Sequence, residues 1–97
     1  MTWMVTALEL VADYPHAQDE LAQTIRAAKR QFPGLQRVTL LRDSSRPNDY
    51  LILSEWDGHE SLAEAVRSGL LWVHRGWTVA WAVSPMRVYD ELIDIGE

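Results

Sequence analysis

The chain has 97 residues, of which 47% are hydrophobic and 24% are charged. These values are typical of one folded domain and exclude a disordered chain, and no apolar run approaches the ~20 residues of a membrane span. The formal net charge of −5, from 14 acidic and 9 basic residues, argues against a nucleic-acid binder, which needs clustered Lys and Arg.

Cysteine is absent, and the three His residues are widely separated. The sequence therefore contains neither a disulfide framework nor a structural zinc motif. Residues 1–12 lack the basic segment and the apolar run of a signal peptide, so we expect a cytoplasmic protein. Five Trp are unusual in so short a chain, and they indicate a large flat apolar surface that is buried or that binds a ligand.

The first predicted strand spans residues 3–10, which alternate between two faces. One face carries Met4, Thr6, Leu8 and Leu10, and the other carries Trp3, Val5, Ala7 and Glu9. Both faces are largely apolar, so both need a cover. We expect helices on one face and a different cover, such as a second subunit, on the other.

A first helix is predicted from Tyr14-Pro15, because Pro is tolerated in the first turn of a helix. Acidic residues lie early in this segment and basic residues lie late, as the helix dipole favours. The apolar stripe of the helix consists of Leu21, Ile25, Ala28 and Phe32. Pro33-Gly34 ends the helix.

Residues 35–41 and 50–56 are predicted to be strands joined by the polar turn 42–48. Because the two strands are close in sequence, we expect an antiparallel hairpin. Asp57-Gly58 break the second strand, and helical spacing begins at Ser61. Trp56 is thereby placed at a junction of strand, turn and helix.

The segment 70–83 fits two conformations. Alternation over Trp77, Val79, Trp81 and Val83 favours a strand, whereas the spacing of Leu70, Val73, Trp77 and Trp81 favours a helix. We predict a helix with a break near Gly76, ended by Ser84-Pro85, and a last strand over 86–95. The predicted fold is a single α+β domain of residues 1–97, with the ferredoxin-like order β-α-β-β-α-β, an antiparallel four-stranded sheet and helices on one face.

The predicted elements carry a succession of short motifs: Pro33-Gly34, Leu40-Leu41-Arg42-Asp43, Glu55-Trp56, Ser61-Leu62 and Val88-Tyr89-Asp90. Over residues 4–95 this succession resembles the antibiotic biosynthesis monooxygenase domains of the dimeric α+β barrel superfamily. The resemblance implies a homodimer whose sheets face each other to form a barrel, with a pocket in each subunit between sheet and helices. Because the superfamily hosts several chemistries, the resemblance predicts the fold better than the reaction.

One branch of this family comprises cofactor-independent monooxygenases that oxidise polycyclic aromatic phenols with dioxygen. Their pocket uses a Trp, an Asn and a Tyr. Trp56 matches the Trp, whereas Ile52 and Leu62 stand at the Asn and Tyr positions. The resemblance implies a catalytic Trp56 in a pocket that Ile52 and Leu62 line.

A second branch comprises haem-degrading monooxygenases, in which a His binds the haem iron and a Trp and an Asn act on the porphyrin. His74 falls at or within one residue of the ligand position. Thr6 stands at the Asn position and Ala65 at the Trp position. Haem binding through His74 is therefore the alternative that this branch implies, with Thr6 and Ala65 lining the pocket.

Each candidate residue also has a packing interpretation. Trp56 would either offer an apolar wall and an N–H donor to a ligand or lock a helix to the sheet. Trp72, Trp77 and Trp81 would either line a cavity for a flat substrate or fill the core or a dimer seam.

Two polar candidates leave similar alternatives. His74 is either a base, an iron ligand or an imidazole bonded to a neighbouring helix. Arg42 either steers an anionic or phenolic group or pairs with Asp43 or Asp49 at the surface.

The leading hypothesis is a homodimeric monooxygenase without metal or flavin that acts on a flat, apolar aromatic substrate. His74 or a water molecule would assist proton removal, and the substrate itself would pass an electron to dioxygen. The rivals are a haem-binding or haem-degrading protein and a non-catalytic dimer that carries a ligand or serves assembly.

Overall fold

The computed structural model describes residues 1–11, 16–68, 81–83, 87–93 and 95–96. Over these residues the elements are, in order, β1 (Thr2–Leu10), α1 (Ala17–Gln31), β2 (Leu35–Arg42), β3 (Asp49–Trp56), α2 (His59–Arg67), β4 (Trp81–Val83) and β5 (Arg87–Asp90). None of the helices in this part of the chain is long and apolar enough to cross a membrane.

The strands form one antiparallel sheet in the order β2-β3-β1-β4, with β5 also paired to β1. Helix α1 connects β1 to β2, yet β3 lies between these two strands in the sheet. This is the split βαβ arrangement of ferredoxin-like domains. The predicted α+β fold is confirmed, as is the antiparallel hairpin of β2 and β3.

Strands β4 and β5 lie one after the other along the same side of β1. Leu8 is opposite Val83 and Val5 is opposite Arg87, so the register with β4 differs by one residue from the register with β5. The helix predicted for 70–83 is wrong for residues 81–83, which form β4. Pairing with β1 satisfies backbone groups that a helix would leave unpaired on that side of the sheet.

The remaining part of that prediction, residues 70–80, lies outside the described residues. The last strand was predicted over 86–95, but β5 covers only Arg87–Asp90. One further backbone bond continues its pairing, from the N–H of Glu91 to the carbonyl oxygen of Met1 at 3.0 Å.

Among the described residues helix α1 begins at Ala17, with His16 as its N-cap. The predicted start at Tyr14-Pro15 lies outside the described residues. Acidic residues occupy its first turn and basic residues its last turn, so the charges oppose the helix dipole at both ends. Phe32 leaves the helical conformation directly before Pro33, as a residue preceding proline tends to do.

The core lies between the two helices and one face of the sheet. Its buried hydrophobic residues are Met4, Leu8, Leu21, Ile25, Ala28, Leu35, Tyr50, Ile52, Trp56, Leu62 and Ala65. Phe32 packs against this cluster, with its ring centroid 6.3 Å from that of Trp56. A fully buried Leu or Ile side chain contributes roughly 1.5–3 kcal/mol, so burial of the predicted stripe of α1 holds that helix against the sheet.

The other face of the sheet has an apolar centre that the described residues of the chain do not cover, and polar or charged residues lie around it: Glu9, Arg37, Thr39, Glu55 and Arg87. We call it the open face and define it by Trp3, Val5, Ala7, Leu41, Leu51 and Leu53. These residues are neighbours across the strands: Val5 is opposite Leu53, and Leu51 lies between Ala7 and Leu41. Leu41 is 43% exposed and Leu51 38%. It is the face for which the alternation of β1 predicts a second cover.

A close backbone contact fixes the junction between β3 and α2. The N–H of Asp57 donates to the carbonyl oxygen of Gly34 at 2.9 Å. Gly34 also lies so near Ser61 that a Cβ at position 34 would overlap the Cβ of Ser61. Glycine is therefore required here by the close approach of α2.

Candidate functional site

Five of the candidate residues meet in one interior layer between the sheet and α2. We define this interior layer by Thr6, Ile52, Trp56, Leu62 and Ala65. Thr6 and Ile52 are direct cross-strand partners. All five side chains are buried, and Leu62 at 4% is the most exposed of them.

The spacing of these residues explains why they meet. Alternate residues of a strand point to the same face, so Thr6 on β1 and Ile52 and Trp56 on β3 all point towards the helices. Leu62 and Ala65 are three residues apart on α2 and share the helical face that covers the sheet. The layer is apolar except for one hydroxyl and one indole N–H.

The indole N–H of Trp56 is already bonded within the protein. It donates to the hydroxyl oxygen of Ser54 at 2.9 Å, and that hydroxyl donates to the carbonyl oxygen of Met4 at 3.3 Å. Trp56 and Ser54 are both 0% exposed. The N–H donor that the sequence offered to a ligand is therefore used to tie β3 to β1.

The hydroxyl of Thr6 is in the opposite situation. Its Oγ1 is buried and has no hydrogen-bond partner among the described residues. Thr6 lies between the two pairs Val5–Arg87 and Leu8–Val83, where β1 passes from β5 to β4 and the register changes. An unpaired polar atom in an apolar interior costs about 1–3 kcal/mol, so it calls for an explanation.

Four other candidates lie wholly or partly outside the described part of the chain. His74, Trp72 and Trp77 lie outside the described residues. Trp81 is the first residue of β4, with its backbone opposite Leu10.

Arg42 lies exposed at the end of β2. The acidic residues proposed as its partners bond elsewhere. The carboxylate of Asp49 lies 4.0 Å from Nη1 of Arg46. One carboxylate oxygen of Asp43 accepts the backbone N–H groups of Ser45 and Arg46, at 2.8 and 3.0 Å. This arrangement builds the hairpin turn, at the opposite end of β3 from Trp56.

Sequence reasoning missed one polar pair at the start of α2. Nε2 of His59 lies 2.6 Å from Oδ1 of Asp90, and both side chains are about two-thirds exposed, at 66% and 64%. The sequence gives no sign of this pair, because the pairing depends on β5 lying beside β1. Within the described ranges, no three His, Asp or Glu side chains are grouped so that they could hold a metal ion.

A surface depression of ≈ 510 Å³ lies on the outer side of α2 and is lined by Glu60, Ser61, Ala63, Glu64 and Arg67. Its lining is mostly charged or polar, and none of the candidate residues contributes to it. A flat apolar ligand would find more apolar contact in the interior layer.

Comparison with protein families gives one match. The model of the family described as "Antibiotic biosynthesis monooxygenase" matches residues 4–71. Among proteins with curated functions, none matches this chain in sequence.

Two solved structures illustrate the fold. SnoaB, a cofactor-independent oxygenase from Streptomyces nogalater, is 17% identical with a TM-score of 0.75, over 99% of this chain and 97% of that chain. The haem degrader MhuD from Mycobacterium tuberculosis, solved with two hemes bound in its active site, is 21% identical with a TM-score of 0.63, over 99% of this chain and 100% of that chain. At such identities these likenesses show the fold alone.

Proposed function

The chain belongs to the antibiotic biosynthesis monooxygenase family, and we propose that it is a homodimeric monooxygenase that oxidises a flat, apolar aromatic substrate without a bound cofactor. The observation that carries the proposal is the family match, which extends over both helices and the three longest strands of the described fold. SnoaB, whose fold this chain shares, is a cofactor-independent oxygenase.

The interior layer supports the choice of substrate. Ile52, Leu62 and Ala65 are apolar and lie together under α2, so they would form one wall of a pocket for an aromatic ring system. We assign the facing wall to Trp72, Trp77 and Trp81, with His74 among them. In this proposal Trp56 supports the wall of the pocket and donates no hydrogen bond to the substrate, because its N–H is bonded to the hydroxyl of Ser54.

The chemistry follows from the substrate. A dry pocket favours removal of a proton from the phenol or from its keto tautomer, with His74 or a water molecule as the acceptor. The resulting anion gives one electron to dioxygen, and the two radicals combine to a peroxide. Loss of water from the peroxide leaves a quinone, so one oxygen atom enters the product and the other leaves as water.

The open face supports the homodimer. Its leucines and valine are partly exposed in the single chain, and burying them against a second copy would remove apolar surface from water. Facing sheets of two copies would form the barrel that the family resemblance implies.

The test is the oxidation of anthrone by the purified protein under air, followed through the absorbance of anthraquinone and the consumption of oxygen. We expect turnover that a chelator does not affect. His74→Ala should lower the rate about 10²–10⁴-fold, the usual contribution of a general base.

His59→Ala is the matched control, because His59 is exposed and bonded to Asp90 rather than placed in the interior layer. It should keep the rate of the wild type. Absence of product with the wild type would contradict the proposal. An unchanged rate in His74→Ala would assign proton removal to water.

Haem binding is the second candidate, because this chain shares its fold with MhuD, which was solved with heme bound. Among the described residues the interior layer contains no imidazole, so binding would depend on His74. A hemin titration tests this candidate: a Soret band that His74→Ala loses and His59→Ala keeps would favour it, and a flat titration would eliminate it. Ligand binding with neither product nor Soret band would favour a non-catalytic carrier.

A further inference from the structure

Three buried Ser and Thr residues lie in the described sheet, namely Thr2, Thr6 and Ser54. The two that are completely buried, Ser54 and Thr6, differ in how their hydroxyls are bonded. Ser54 is 0% exposed and uses its hydroxyl twice, as acceptor for Trp56 and as donor to Met4. Thr6 is also 0% exposed, yet its Oγ1 has no partner among the described residues. The hydroxyl of Ser54 is therefore satisfied within the fold, whereas the described residues offer no partner to that of Thr6.

The described part of the fold gives no reason for a hydroxyl at position 6. Valine has the same branched shape as threonine and fits the interior of a strand at least as well. The described neighbours of Thr6 on this face of the sheet are apolar: Met4 and Leu8 precede and follow it on β1, and Ile52 is its cross-strand partner. An unpaired hydroxyl in these surroundings indicates a group that a ligand completes.

We propose that the hydroxyl of Thr6 binds the oxygen atom of the aromatic substrate. This inference rests on the proposed function, because it assumes that a flat aromatic molecule occupies the pocket beside the interior layer. A threonine hydroxyl has one hydrogen to donate and two lone pairs, so it fits a carbonyl oxygen, a phenol or a phenolate.

The inference specifies the substrate more closely. The ligand carries an oxygen function on its ring system, at the position that faces β1. A hydrogen bond from Thr6 is stronger to the phenolate than to the neutral phenol, because the acceptor is then charged. Thr6 thereby favours the anion that passes an electron to dioxygen. Specificity for oxygenated over unsubstituted rings follows, since the unsubstituted ring leaves the hydroxyl unpaired.

The experiment is an anaerobic binding titration with two ligands, monitored by tryptophan fluorescence. Anthrone carries a ring carbonyl, and dihydroanthracene has a methylene group in its place with almost the same shape. Wild type, Thr6→Val and Thr6→Ser are compared. We expect Thr6→Val to raise the Kd for anthrone about tenfold, the equivalent of one hydrogen bond, and to leave the Kd for dihydroanthracene unchanged.

Two further results are expected. Thr6→Ser keeps the hydroxyl and should keep the affinity for anthrone within about threefold of the wild type. Thr6→Val should raise the Tm of the ligand-free protein by several degrees, because an unpaired buried hydroxyl is removed. If Thr6→Val does not fold, Thr6→Ala replaces it and is compared with Thr6→Ser.

Other outcomes overturn the inference. Equal weakening of both ligands by Thr6→Val would show a change of shape rather than a lost hydrogen bond. A lower Tm with unchanged binding would show that the hydroxyl has a structural partner. Wild type that binds neither ligand would also overturn it. The anaerobic titration measures binding without turnover, so its result is independent of the oxidation assay. If the protein binds anthrone through Thr6 but forms no quinone under air, the proposed function is refuted and this inference stands.

Discussion

The indole N–H of Trp56 lies 2.9 Å from the hydroxyl oxygen of Ser54, a residue two positions earlier on the same strand. Both side chains are completely buried. Because Ser54 also donates to the carbonyl oxygen of Met4, the pair connects β3 to β1 through side chains as well as through the backbone ladder. The large aromatic side chain is thereby fixed in rotation as well as in position.

Ser54→Ala should lower the free energy of unfolding by about 1–3 kcal/mol. The substitution leaves the N–H of Trp56 without an acceptor inside the core, and an unpaired buried donor carries its full desolvation penalty. Urea denaturation monitored by circular dichroism measures the effect.

The control is a double-mutant cycle with Trp56→Phe. Phenylalanine has no N–H, so Ser54→Ala should cost less in the Trp56→Phe background, with a coupling free energy on the order of 1 kcal/mol. Strictly additive costs would show that the hydrogen bond contributes nothing to stability.

Gly34→Ala should destabilise the protein by about 1–3 kcal/mol, the usual cost of overpacking a well-packed site. The added methyl group would overlap the Cβ of Ser61 and lie 3.0 Å from Oδ1 of Asp57. The Cβ of Ser61 is held by the backbone of α2, so it cannot yield as a flexible side chain would. Thermal unfolding measures the loss.

Gly58→Ser is the control for Gly34→Ala, because Gly58 is a second glycine next to the same helix. No atom lies within 4 Å of a Cβ at this position, and a φ of 179° is extended backbone that any residue adopts. Gly58 is the N-cap of α2, where no side chain caps the helix. A serine there should leave the free energy of unfolding unchanged or raise it by a few tenths of a kcal/mol. Equal losses in the two variants would contradict the steric explanation.

His59→Ala should lower the free energy of unfolding by no more than about 1 kcal/mol, because the bonded pair of His59 and Asp90 is mostly exposed to solvent. Asp90→Asn should give a similarly small change. Chemical denaturation of both variants checks the prediction. A loss of several kcal/mol would make His59→Ala unsuitable as the control for His74→Ala in the oxidation assay.

Most of the fold could be predicted because its signals are local. The alternation of β1, the charge order of α1 and the stop at Pro33-Gly34 each act within a few residues, and the structure confirms them. The helix predicted for residues 81–83 is wrong because Trp81 fits both the helical and the strand spacing of apolar residues. These residues form a strand because one side of β1 needs a hydrogen-bonding partner, and the pattern of apolar residues alone does not show this need.

Some features of the candidate site could likewise be predicted from the sequence, and others could not. The family resemblance placed Thr6, Ile52 and Trp56, and alternation explains why they share a face. The bond from Trp56 to Ser54 was missed, although two residues of one strand at positions i and i+2 always point to the same side. The missing partner of Thr6 was not predictable, because it depends on every side chain around it.

Leu53→Asp should convert the proposed homodimer into monomers. Leu53 lies at the centre of the open face, with Val5 opposite on one side and Thr39 on the other. It is only partly buried in the single chain, so a carboxylate there stays hydrated in the monomer and the fold is kept. Between two facing sheets the same carboxylate would be buried without a partner, at a cost of several kcal/mol.

Gln23→Asp is the control, since Gln23 is exposed on α1, on the other side of the sheet. Sedimentation equilibrium should give twice the chain mass for the wild type and Gln23→Asp, and the single mass for Leu53→Asp with an unchanged circular dichroism spectrum. A Leu53→Asp variant that stays dimeric would place the interface elsewhere. A monomeric wild type would refute the homodimer and leave the open face without its proposed cover.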